Sequence, residues 1–280
     1  DLMINVNFNF IYFLILNCFT FLSISASNNE ITLTNMDSHT LSNYHEVQVN
    51  HAHLDLAVDF SNRILTGSVT LSFSRISESD QLILDTKYLV VKKVLDQFGN
   101  NLKFKFLEKD ELLGIPLSVQ LNDSTLSVKI FYATTDKSEA LDWLSAEQTA
   151  GKKFPFMYTQ GQSIFTRSWI PIQDSPGIRV TYDAEITVPD GMLPVMSASN
   201  PQEYNSSNSY HFEMKQSIPP YLIALAVGNL AFKAIDDRTG VYAEPSMLPS
   251  CADELIDMGK MVDAAEELYG VYDWERFDVI

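Results

Sequence analysis

From Val47 to Phe60 apolar and polar residues alternate (VQVNHAHLDLAVDF), and they alternate again from Leu65 to Phe73, with Ser61-Asn62-Arg63 between the runs. A two-residue period sends successive side chains to opposite faces of a strand, so the pair reads as a β-hairpin with one face buried. Apolar runs at Gln81–Leu84, Leu89–Leu95, Leu102–Phe106, Leu117–Leu121, Thr125–Tyr132, Val180–Val188, Tyr210–Met214 and Tyr221–Phe232 predict further strands. Gly, Asn, Asp, Ser and Pro clusters separate most of them, the spacing of an all-β sandwich or a curved sheet. The period changes after Ser250. Leu255, Met258, Val262, Ala265 and Tyr269 recur every three or four residues, Ser250 stands three ahead of Asp253 in capping-box fashion, and Gly270 follows, which predicts one amphipathic helix of about 19 residues. Phe277–Ile280 reads as an apolar strand with no turn signal after it, so the chain is expected to be a fragment, its strand partners lying in chain that is absent. The expected fold class is mainly β, a β domain over residues 45–236 followed by strands and one helix of a second domain over 237–280.

The composition suits a packed fold, with 46% hydrophobic and 11% aromatic residues. A formal net charge of -17 repels phosphate backbones, and no basic patch offsets it, so nucleic acid is not an expected partner. Residues Phe8 to Ala26 are apolar and end in small residues before polar Ser27-Asn28-Asn29-Glu30. Residues 1–26 are therefore expected to be a signal peptide, although no Lys or Arg precedes Arg63 to supply its basic start. An uncleaved anchor is the rival, interrupted by Asn9, Asn17 and Thr20. Cleavage would leave a flexible stretch over 27–44, an exported, periplasmic or extracellular protein without stable membrane association, and Cys251 as its one cysteine, hence no internal disulfide.

Five histidines, His39, His45, His51, His53 and His211, include no H-E-x-x-H pair, and no metal site is expected in these residues. His51 and His53 share a strand face and read as ordinary half-exposed side chains. No P-loop, dinucleotide fingerprint or G-x-S-x-G elbow occurs, and Cys251 reads as a buried helix residue. Asn122-Asp123-Ser124 and Asn205-Ser206-Ser207 fit the glycosylation sequon. The stretch Thr159–Pro176 (TQGQSIFTRSWIPIQDSP) is the most unusual. If Gln160–Gly161–Gln162 is extended, both amides project to one face and could hold a peptide or an amine, while Gly161 permits close backbone approach. Equally, both amides could satisfy neighbouring backbone groups.

This stretch, with Leu56–Leu71, Leu82–Val94, Ala140–Gln148, Thr181–Pro189 and Ile218–Leu230, resembles the zinc aminopeptidases of the aminopeptidase N type, and most closely their leukotriene A-4 hydrolase branch. The resemblance runs from about His45 to Ile280. It implies a saddle-shaped β domain followed by the opening strands and helix of a thermolysin-like catalytic domain. It also implies a zinc ion whose ligands, with the general base, lie beyond these residues, so no catalytic residue is expected here. By the same resemblance Gln160, Gly161 and Gln162 help to bind the substrate's α-amine, Gln162 standing where most relatives have a glutamate. Arg167, Pro171, Asp174 and Pro176 would shape that loop. Ile172 departs from the branch, where a cysteine is common. Peptides with a free N-terminus are the implied partners, a monomer is expected, and lipid-epoxide hydrolysis is not. The alternative is a secreted, non-catalytic β-rich module that binds peptides or a protein.

Overall fold

The computed structural model describes residues 37–280, so the proposed signal segment lies outside the described residues. The largest layer is a six-stranded sheet in the order β12 (Ser209–Ile218), β10 (Val180–Thr187), β1 (Val47–Asp59), β2 (Ile64–Arg75), β7 (Ser127–Ala133), β4 (Val90–Asp96). The hairpin β1–β2 forms as the alternation predicts, with Leu54 opposite Val69. Its phase flips once: Val47 and Val49 point inward, a bulge follows, and then Ala52, Leu54, Leu56 and Val58 point inward. One inserted residue re-aims every later side chain, so the bulge keeps both apolar sets in a single core. Val128, Ile130, Tyr182, Ala184, Ile186 and Phe212 complete that face. The pair β1–β10 is parallel, the other pairs in this sheet antiparallel.

Three smaller sheets surround it. One holds β3 (Gln81–Leu84), β6 (Leu117–Gln120) and β5 (Phe104–Phe106). A second runs β11 (Leu193–Met196), β13 (Leu225–Gly228), β9 (Phe156–Thr159), β8 (Leu141–Leu144). A third holds β14 (Ala231–Ala234), β15 (Thr239–Ala243) and β16 (Phe277–Val279). The chain is mainly β, as expected. Residues 37–44, expected to be flexible, are tied down instead: Asn43 pairs its side-chain amide with the backbone of β3, accepting from Ile83 N (2.8 Å) and donating to Gln81 O (2.9 Å).

Several expectations are corrected. The run Tyr221–Phe232 is not one strand, because Pro219 and Pro220 lack the N–H groups a ladder needs and open a 3-10 turn at Pro220–Leu222 ahead of β13 and β14. Strand β16 is not unpaired, since it lies parallel to β15 with Phe277 beside Thr239. The single helix is two, α1 (Leu248–Glu254) and α2 (Met258–Tyr269). Pro249 in the first turn starts α1, which leaves Ser250 inside the helix, where it caps nothing. The chain then bends at Leu255–Asp257, where Met258 N bonds Leu255 O in a tightened turn. That bend carries α2 against the β14–β15 turn, so close that a Cβ on Gly259 would stand 2.1 Å from Asp236 Oδ2. Of the predicted apolar face α2 buries only Met258 and Val262, and Tyr269 is 86% exposed. Cys251 is half-buried rather than buried. No helix among the described residues is long and apolar enough to cross a membrane.

Candidate functional site

Strand β9 ends at Thr159, whose Oγ1 accepts from Leu225 N (2.9 Å), and the chain then leaves the sheet. Gln160–Gly161–Gln162 is therefore not an extended strip. Gln160 N donates to Ala140 O (2.8 Å), and the Gln160 side chain folds back so that its Oε1 accepts from Gln162 N (3.1 Å). Gly161 is buried, and the space beside it belongs to the chain itself: a Cβ there would stand 2.8 Å from both Tyr221 O and Thr166 Oγ1. The glycine is required by packing against the turn after Pro219-Pro220. Gln160 and Gln162 are exposed, but only the Gln162 amide makes no hydrogen bond among the described residues. The two readings of the glutamines are thus divided between them, Gln160 serving the backbone and Gln162 facing outward.

Further along the same segment Arg167 and Asp174 join a buried charge cluster. Arg167, at 1% exposure, donates from its backbone N (3.0 Å) and Nε (3.2 Å) to Asp174 Oδ2, and its Nη2 donates to the carbonyls of Asp174 (2.6 Å) and His39 (2.7 Å). Its Nη1 donates to Leu113 O (3.1 Å) and lies 3.7 Å from Asp85 Oδ1. Asp85 accepts from Leu41 N (2.8 Å), Asp174 N (2.9 Å) and the Thr40 hydroxyl. Burial pushes the Asp174 carboxyl up to about 6 against the pull of Arg167, and burial also raises Asp85. Arg167 and Asp174 were singled out in the sequence as shaping this loop, whereas Asp85 was not. An acid directly after the apolar run of β3 was the available signal.

His51 and His53 meet on the outer face of the six-stranded sheet. His51 Nε2 and His53 Nδ1 contact separate oxygens of Asp183 on β10, the first at 2.8 Å, and Thr181 Oγ1 holds His51 Nδ1 at 2.8 Å. Burial pushes Asp183 up, but the two imidazole hydrogen bonds outweigh it and hold the carboxyl below its ordinary value. Both carboxylate oxygens are thereby used in cross-strand pairing, and among the described residues no group of three or more His, Cys, Asp or Glu side chains is placed to hold a metal ion. The described residues do not fit a zinc centre.

A cavity of about 790 Å³ is lined by Met196, Met214, Leu225, Tyr242, Trp274 and Ile280 among others. It touches Tyr158, Thr159 and Leu222 beside the strip, but neither glutamine lines it.

The four sheets and the short helices after them define the N-terminal portion of a peptidase, as comparison with known proteins shows. Residues 42–222 match the family model of the Peptidase M1 N-terminal domain, and the chain belongs to the M1 peptidase family. It is 37% identical over 249 residues to leucine aminopeptidase 2 of Yarrowia lipolytica, covering 87% of this chain and 38% of that protein. It is 36% identical over 243 residues to leukotriene A-4 hydrolase of Xenopus laevis, covering 83% and 40%. Among solved structures, native yeast LTA4 hydrolase superposes with a TM-score of 0.83 at 36% identity, over 89% of this chain and 40% of that one. The chain thus spans about two fifths of the length of these relatives.

Proposed function

We propose that the complete protein is a zinc-dependent aminopeptidase that removes N-terminal residues from peptides, and that these residues contribute recognition of the substrate's α-ammonium. Gln162 is the recognising group, and Gln160 and Gly161 build the backbone that presents it. The observation that carries the reading is the division of labour in the strip, where Gln162 alone keeps its amide unengaged on a backbone fixed from both sides. Its Oε1 can accept from an ammonium, a charge-assisted bond worth about 1.5–3 kcal/mol. The zinc ligands and the general base come from outside these residues, and export to an extracellular or periplasmic space follows from the Phe8–Ala26 segment.

The test is kinetic, on the protein encoded by the complete reading frame, with aminoacyl chromogenic substrates in the presence and absence of a chelator. Chelator-sensitive hydrolysis is expected, and Gln162→Ala should raise KM about 10- to 150-fold. Unchanged aminopeptidase kinetics in that variant would remove Gln162 from the site, and a folded but inactive product would leave the binding-module reading. Export is checked separately by sequencing the N-terminus of the protein from its source. A start near Ser27 supports it, and a start at Met36 rules it out.

A further inference from the structure

We propose that Ser168 is a positioning residue for amine recognition, holding the loop that carries Gln162 in its binding position; this role rests on the reading of Gln162 given above. The loop 160–168 leaves β9 and ends in a 3-10 turn at Thr166–Ser168. A ring of hydrogen bonds closes it. Gln160 N donates to Ala140 O (2.8 Å), Ala140 N donates to Ser168 Oγ (2.9 Å), Ser168 Oγ donates to Phe165 O (2.7 Å), and Phe165 N donates to Gly161 O (2.9 Å).

The Ser168 hydroxyl is the one side-chain group in that ring, and it is fully buried. Its single proton goes to Phe165 O, so the Ser138 hydroxyl, 3.1 Å away, must donate to it, and its two lone pairs receive Ser138 and Ala140 N–H. Every bonding position of the hydroxyl is filled. Through Ala140 it reaches the start of the loop at Gln160, and through Phe165 its far limb. From Gln160 the position passes to Gln162 by the bond from Gln162 N to Gln160 Oε1. None of these bonds uses the Gln162 amide. A recognition group held this way loses little freedom on binding, which is where a fixed loop gains affinity over a loose one.

Removing the hydroxyl orphans the buried Ala140 N–H, and the loop relieves that cost by moving toward solvent. The effect should therefore fall on the amine and not on the rest of the substrate. The test uses the protein from the complete reading frame and two competitive inhibitors, leucine hydroxamate and the hydroxamate of the same acid without its α-amine. The ratio of their inhibition constants reads amine recognition alone. Ser168→Ala should lower that ratio about 5- to 10-fold, on the scale of one lost buried hydrogen bond. It should add nothing when combined with Gln162→Ala, because both changes remove the same contact. Hydrogen exchange should quicken in the peptide spanning 160–168.

A role confined to stability would weaken both inhibitors equally, or add to the Gln162→Ala effect, and either result overturns the proposal. So does unchanged exchange in the loop. If Gln162→Ala itself leaves the ratio untouched while exchange quickens in Ser168→Ala, the amine reading of Gln162 has failed and this role falls with it, the hydrogen-bonded ring alone standing. Should Ser168→Ala not fold, Ser168→Cys keeps the shape while weakening each bond, and the same ratio decides.

Discussion

Asp174 has two oxygens in unlike settings. Oδ2 accepts twice from Arg167, while Oδ1 is buried with no partner among the described residues. Asp85 has both oxygens engaged. One guanidinium between two buried carboxylates leaves an excess negative charge, so burial raises both carboxyls, that of Asp174 up to about 6. Because this lies above the ordinary 3.8, the native state binds more protons than the unfolded chain between those values. The associated stability is complete below the ordinary value and is lost as pH rises through about 6. Asp174→Asn mimics the protonated form and should abolish this loss. Between pH 4 and pH 7 the native protein should lose roughly 2 kcal/mol relative to the variant, read from urea midpoints. The lowered carboxyls Asp37 and Asp183 act in the opposite sense but are common to both proteins, so they cancel in the difference. Parallel pH profiles would show that Asp174 is ionised throughout.

Strand β1 shows how an element is completed by a side chain. Its parallel partner β10 begins pairing only at His51, which would leave the buried backbone at Val47 and Val49 without a neighbour on that edge. Gln173 supplies one: its Oε1 accepts from Val49 N (2.9 Å) and its Nε2 donates to Val47 O (2.7 Å), as a strand would. Gln173→Leu should therefore cost about 1–3 kcal/mol for each orphaned group and lower Tm accordingly, and an unchanged Tm would mean that water replaces the amide. Such devices explain what could be read in advance. The alternation in β1, β2 and β10 was legible because burial on one face repeats every second residue. The short strands β8, β9, β11 and β15 were not, because four or five residues are too few to display a period and Leu193–Met196 is buried throughout. Gln160 and Gln162 stood out as residue types, but their separate duties depend on a turn after β9 that no spacing announces. The apolar period across Leu255–Tyr269 was real, yet it runs through a bend that Pro249 and the approach of Gly259 to Asp236 impose from outside the period.

At the scale of the whole molecule the net charge of -17 opposes compaction. Exposed ion pairs such as Lys109–Glu111 and Lys260–Asp257 offset little of it, since pairs of this kind are worth about 0–1 kcal/mol. Repulsion among the many acids outweighs them, so screening should stabilise the fold. Raising sodium chloride from about 0.02 to about 0.5 M should move the urea midpoint upward, and a downward shift would mean that attractive pairs dominate.

The parallel seam of the large sheet also bears on how the protein is made. His51 meets Thr181 130 residues further along the chain. At a synthesis rate of about 5–20 residues per second, β1 leaves the ribosome roughly 7–25 s before the strand that closes its edge. Throughout that interval the hairpin presents an open edge above a half-built apolar face, the form in which nascent chains stick to one another. The slowest and most vulnerable stage of its biogenesis should be this wait, and chaperones that shield strand edges should matter most while residues 60–180 are being translated.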